Sequence, residues 1–247
     1  MPYEGPLRLH VRESTGKPTH SFVFLHGYAC TGKENADHFQ SWSHANTTTY
    51  RGLRVICPTA FSINTSAPGY TTEPVNSWYD FEDGTCTSAD DKPDIVTLNK
   101  SCSEIHEIIK AEAEIVGSTS RVFVGGVSQG CGAALHAVST APFTIGGFYG
   151  SIGHVMPCTD VSNIDRLVAG PIVFYNGAND DVMTWSWVKK TFARLNGKPR
   201  VEIWREEGVK HEDDGHWLAN FLIRVLPPPS VNDQLFAYDE LDIALIP

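Results

Sequence analysis

Short runs rich in β-branched and aromatic residues alternate along this chain with longer stretches whose apolar positions recur every three or four residues. Six of the short runs predict strands: Ser21 to Leu25, Leu53 to Cys57, Arg121 to Val127, Thr144 to Tyr149, Pro171 to Tyr175 and Val201 to Trp204. Leu7 to Val11 alternates weakly and reads as an edge strand, and Pro58 is expected to stop the run that ends at Cys57. The clearest helix is Leu98 to Val116, where Leu98, Cys102, Ile105, Ile108, Ile109, Ile115 and Val116 form one stripe and Gly117 ends it. Cys131 to Val138, Val182 to Leu195 and Asp214 to Leu226 read as further helices. Strand and helix in alternation predict an α/β fold, a mostly parallel central sheet with helices on both faces. In such sheets ligands bind beyond the carboxyl ends of the strands.

Two stretches lack that periodicity. Thr59 to Thr97 is a long loop rich in Ser, Thr, Pro and Asp, and loops of that length in compact domains are commonly functional. After Leu226 a run of three prolines precedes an acidic tail. The expected organisation is a single domain over residues 1–247, with a core at about 21–226, a tail at 227–247 and no separate cap domain. A length of 247 residues accommodates one such domain.

Charge narrows the function classes. A net charge of −10 disfavours nucleic acid as a partner and leaves at most transient contact with an anionic membrane surface. No apolar run is long enough to cross a bilayer, and the N-terminal residues lack a basic segment followed by an apolar one, so a cytoplasmic address is expected. The six cysteines, Cys30, Cys57, Cys86, Cys102, Cys131 and Cys158, are dispersed and are expected to be reduced thiols. In that compartment the triplets at Asn46, Asn64 and Asn99 would not meet a glycosylating enzyme. No histidine spacing points to a metal, and no cofactor is expected.

The most informative stretch is Gly126-Val-Ser128-Gln-Gly130, placed between a strand run and a helix run. Small residues on both sides of Ser128 permit the sharp strand-to-helix turn of a nucleophile elbow, and a Cβ at 126 or 130 would clash where strand and helix nearly touch. A serine hydroxyl needs a histidine to take its proton and a carboxylate to orient that histidine. In this arrangement the acid and then the base follow the serine, on loops after strands. Asp180 and Asp181 both follow the Pro171 to Tyr175 run; Asp180 is favoured as the acid and Asp181 as the helix cap. His211 and His216 both follow the Val201 to Trp204 run; His211, in the loop, is favoured over His216, in the first turn of the helix. His154 follows a strand and is a candidate for the cleft, although it precedes the acid. An oxyanion hole requires backbone N–H donors, and Gln129 and Tyr28 are placed to supply them, with Gly27 letting the second loop bend towards the site.

Taken together, Leu25-His-Gly27, Pro58-Thr-Ala60, Ser77-Trp-Tyr-Asp80, Gly126-Val-Ser-Gln-Gly130, Gly177-Ala-Asn-Asp180 and Glu207-Gly-Val-Lys-His211 occur in an order that resembles the acyl-protein thioesterases and the related carboxylesterases and lysophospholipases of the α/β-hydrolase fold. The resemblance runs from about Phe22 to Leu226. It implies Ser128, Asp180 and His211 as a catalytic triad and Tyr28 and Gln129 as oxyanion donors. It also implies S-acylated proteins or small acyl esters as substrates. Trp78 is a candidate substrate contact, or a core anchor beneath the long loop. The chain departs from the family pattern at Asp181, where proline is usual, at Asn176, where histidine is usual, and at Gly150-Ser-Ile-Gly153, where a Ser-Gly pair is usual.

Overall fold

The computed structural model describes residues 7–43, 51–66, 73–82, 92–211 and 215–226. Nine strands lie among them: β1 (Arg8–Arg12), β2 (His20–Leu25), β3 (Leu53–Thr59), β4 (Ser62–Ile63), β5 (Val75–Asn76), β6 (Val122–Val127), β7 (Gly147–Ser151), β8 (Ile172–Gly177) and β9 (Val201–Glu206). The helices are α1 (Gly32–Ser43), α2 (Ile95–Val116), α3 (Gln129–Ser139), α4 (Ile164–Leu167), α5 (Trp185–Phe192) and α6 (Gly215–Val225). Seven strands form one sheet in the order β1-β3-β2-β6-β7-β8-β9, while β4 and β5 make a separate two-stranded ribbon. Only β1 is antiparallel to its neighbour in the large sheet.

Alternation along each buried strand divides the core in two. On β2, Val23 and Leu25 face a cluster built with α2, α3 and α5, whereas Phe22 and Phe24 face one built with α1 and α6. Helices therefore cover both faces, as the strand–helix alternation predicts. The chain leaves β2 through α1 to β3 on one side and later returns through α2 to β6 on the other. The carboxyl ends of β2 and β6 thus flank the point where strand order reverses, the place where an open α/β sheet leaves a crevice. His26-Gly27-Tyr28 follows the first of these strands and Ser128 the second.

Several boundaries differ from the sequence expectation. β3 runs through Pro58, because beyond Ile56 it pairs with β1 alone and a missing N–H removes no bond on the other side. α2 starts one turn early, at Ile95, with Asp94 accepting from Thr97 N–H as its cap. Its buried stripe omits Ile115, which is 48% exposed, and includes Glu112. Glu112 is held by a two-pronged contact from Arg54 and by the Ser21 hydroxyl at 2.6 Å. β7 begins at Gly147 rather than Thr144, since Ile145 makes only an isolated bridge to Val168. The tail at 227–247 lies outside the described residues.

Candidate active site

The turn between β6 and α3 holds Ser128 at φ 54° and ψ −121°, a backbone conformation that costs a non-glycine residue about 1–3 kcal/mol. Close approach of the chain on both sides enforces it. A Cβ on Gly126 would lie 2.4 Å from the Gly130 carbonyl oxygen, and one on Gly130 would lie 2.4 Å from that of His26. Ser128 N–H donates to Ser151 O at 2.9 Å, which ties the turn to β7.

His211, in the loop after β9, connects the other two side chains. Its Nε2 stands 3.1 Å from Ser128 Oγ, and its Nδ1 stands 2.8 Å from Asp180 Oδ2. A carboxylate only accepts, so Nδ1 carries the proton and Nε2 is left to take one from the serine. The second oxygen of Asp180, Oδ1, accepts from Val182 and Met183 N–H at 2.8 and 2.7 Å. Burial alone would raise the pKa of Asp180, but the bonds from His211, Met183 and Val182 outweigh it and leave the carboxyl below its usual value. Asp180 thus performs the turn-capping expected of Asp181, which is exposed. The same bonds delay the start of α5 to Trp185. His216 lies in the first turn of α6.

Gln129 supplies the first backbone N–H of α3, a donor with no carbonyl partner inside the helix. Its side chain is buried and turned away from the cleft. Nε2 donates to Ser77 Oγ and to Tyr79 O at 2.8 and 3.1 Å, and Oε1 accepts from Trp78 N–H at 3.2 Å. The Ser77-Trp-Tyr-Asp80 segment is thereby fastened to the elbow helix. Trp78 is fully buried, donates its indole N–H to His26 O at 2.8 Å, and is absent from the cleft wall. Its position is that of a support beneath the site rather than a substrate contact. Tyr79 and Phe81, which sequence reasoning passed over, line the cleft in its place.

Tyr28 lines the cleft beside Gly27. Gly27 is not the residue that bends this loop: a Cβ there would meet nothing nearer than 3.6 Å, and the left-handed φ of 60° falls on Ala29. Ile152, in the segment that departs from the family pattern, is also left-handed at φ 40°. Among the described residues the non-glycine positions with positive φ are Ala29, Ser128 and Ile152, and all three line the same cleft. Strain is concentrated where the site is built. His154 is buried against Trp187, with ring centroids 4.8 Å apart, and does not line the cleft.

The cleft is about 430 Å³ in volume. Tyr79, Phe81, Ile152, Val182 and Met183 give it apolar walls, and Glu34, Asn35 and Cys30 a polar one, with Ser128 and His211 between.

The profile of the phospholipase/carboxylesterase family of α/β hydrolases matches residues 8–221. The chain belongs to this family. Acyl-protein thioesterase 1 of Schizosaccharomyces pombe is 31% identical over 137 residues, which are 55% of this chain and 56% of that protein. A probable carboxylesterase of Oryza sativa subsp. japonica is 30% identical over 171 residues, covering 65% of this chain and 67% of the relative. The first alignment therefore spans little more than half of the curated thioesterase. The crystal structure of Zea mays acyl-protein thioesterase 2 superposes with a TM-score of 0.69 at 20% identity, over 87% of this chain and 96% of that one. Arabidopsis thaliana SOBER1 gives 0.69 at 19% identity, over 83% and 97%. At those identities the two structures establish the α/β-hydrolase fold of this family member and nothing finer.

Proposed function

We propose that this chain is a serine hydrolase that cleaves fatty acyl thioesters and esters, with S-acylated proteins in the cytoplasm as its substrates. The observation that carries the reading is the position of His211, within hydrogen-bonding distance of both Ser128 and Asp180. In the reaction, Nε2 of His211 accepts the Ser128 proton as Oγ attacks the acyl carbonyl carbon. The negative charge that develops on the carbonyl oxygen is stabilised by the N–H groups of Gln129 and Tyr28, at the positive end of α3. The C–S or C–O bond then breaks, and His211 returns the proton to the departing thiolate or alkoxide. Water, deprotonated by His211, attacks the acyl-serine and releases the fatty acid. Tyr79, Phe81, Val182 and Met183 supply the apolar surface against which an acyl chain would lie.

The direct test is release of palmitate from a palmitoyl-cysteine peptide, set beside hydrolysis of a short p-nitrophenyl ester. Turnover of both supports the thioesterase reading. Turnover of the short ester alone would assign the chain to small-ester hydrolysis, and turnover of neither would remove the hydrolase reading.

A further inference from the structure

A second cavity, of about 500 Å³, adjoins the cleft through the segment Ala29 to Thr31: Cys30 lines the cleft and Thr31 lines the second cavity. Asn76, which lines the second cavity, fixes this shared wall by donating Nδ2–H to Cys30 O at 3.1 Å and accepting Ala29 N–H at 3.0 Å. The lining is unlike the rest of the molecule. In a chain of net charge −10 it carries Arg8, His10 and Lys33, and no carboxylate of the described residues lines it. Lys33 is paired with Asp37 at 2.6 Å, whereas Arg8 has no carboxylate within ion-pairing distance among the described residues.

Donors converge here from separate elements. Thr59 Oγ1 accepts from Gly32 N–H at 3.0 Å, which leaves its own proton to give. Asn76 retains a second amide N–H, and the Arg8 guanidinium offers a planar fork of donors on β1. Burial, then the charges of Arg8 and Lys33, lower the pKa of His10 against the opposing pull of Asp37. Donors arriving from β1, β3, β5 and α1 suit an anion with acceptor oxygens on several sides.

We propose that this cavity binds a phosphate group, with Arg8 as its main charged contact. The phosphate could belong to the headgroup of an ester whose carbonyl lies at Ser128, a case that rests on the hydrolase reading, or to a free anion, a case that does not.

The test is calorimetric titration with sodium phosphate against sodium chloride at matched ionic strength, on the native chain and on Arg8→Gln. Saturable binding of phosphate to the native chain is expected, weakened about tenfold or more in the variant, the usual loss for a charge-assisted hydrogen bond. Hydrolysis of a lysophosphatidylcholine and of a monoacylglycerol of the same chain length then separates the sources. If the headgroup supplies the phosphate, Arg8→Gln raises KM for the lysophospholipid about tenfold and leaves the monoacylglycerol and a short p-nitrophenyl ester unchanged. If phosphate binding falls but the two esters respond alike, the site holds a free anion. No saturable binding to the native chain, or equal binding by the variant, would overturn the proposal. A native chain that binds phosphate yet hydrolyses none of the esters would defeat the catalytic reading and leave this one standing.

Discussion

The backbone N–H of Trp78 donates to the side-chain oxygen of Gln129 at 3.2 Å, while the backbone of Gln129 opens the helix beneath Ser128. In the proposed mechanism one residue therefore offers its main chain to the reaction and its side chain to the loop that walls the cleft. Gln129→Ala would keep the first role and abolish the second, leaving Trp78 N–H and Ser77 Oγ without that partner. We expect a loss of about 2–3 kcal/mol in unfolding free energy, with a fall in kcat/KM on a short ester. Urea denaturation and steady-state kinetics read both; unchanged stability would contradict the role given to the side chain.

Ser128→Ala and Ser128→Gly should each lower kcat roughly 10⁴-fold or more. They should differ in stability. Glycine adopts a φ of 54° freely, while alanine keeps the serine's backbone strain, so the glycine variant is expected to be more stable by about 1 kcal/mol. Equal unfolding midpoints would limit the strain to the roughly 0.5–1 kcal/mol of unfolded-chain entropy that glycine adds, below the cost assigned to the elbow.

Asp180→Asn would leave an amide able to replace the carboxylate at Val182 and Met183 N–H but not to select the Nδ1-protonated form of His211. A drop of roughly 10³–10⁴ in kcat with a smaller change in KM is the expected result, measured on a p-nitrophenyl ester. Loss confined to KM would mean that the carboxylate contacts substrate instead of orienting the histidine.

His26 gives the fold a dependence on pH. Burial lowers its pKa to about 4, only partly offset by its bond to Gly27 O, while Nε2 accepts Ala60 N–H at 2.9 Å. The unfolded chain titrates this residue near ~6.5, so between that value and about 4 it binds more protons than the folded chain. Stability from this group is complete above the unfolded value and declines as pH falls through the window, by at most about 3 kcal/mol. His26→Asn, which keeps a donor for Gly27 O, should lessen the slope of unfolding free energy against pH between 4.5 and 6.5, leaving the share of His10, His20 and His136, whose pKa values burial also lowers. A variant curve parallel to the native one would exclude the effect.

Much of this arrangement is legible in the sequence because it depends on local pattern. A β-branched run stopping at a small-residue elbow fixes where Ser128 sits, and chain order in this fold brings Asp180 and His211 to the same sheet edge. What the pattern hides is set by distant partners. Glu112 looks like the polar face of α2 until Arg54 and Ser21 are brought against it. Pro58 looks like a stop until β3 is seen to have one neighbour at that point. Trp78 carries the same signal whether it contacts substrate or supports the loop, and only its burial distinguishes the two. The strain at Ala29 and Ile152 has no glycine to announce it.

On the proposed mechanism Ser128 is a nucleophile activated by His211. Treatment with a fluorophosphonate, followed by peptide mass spectrometry, tests it most directly. The expected result is a single adduct on Ser128 in the native chain and a far slower reaction in His211→Asn. An unlabelled Ser128, or labelling undiminished without the imidazole, would rule out activation of Ser128 by His211.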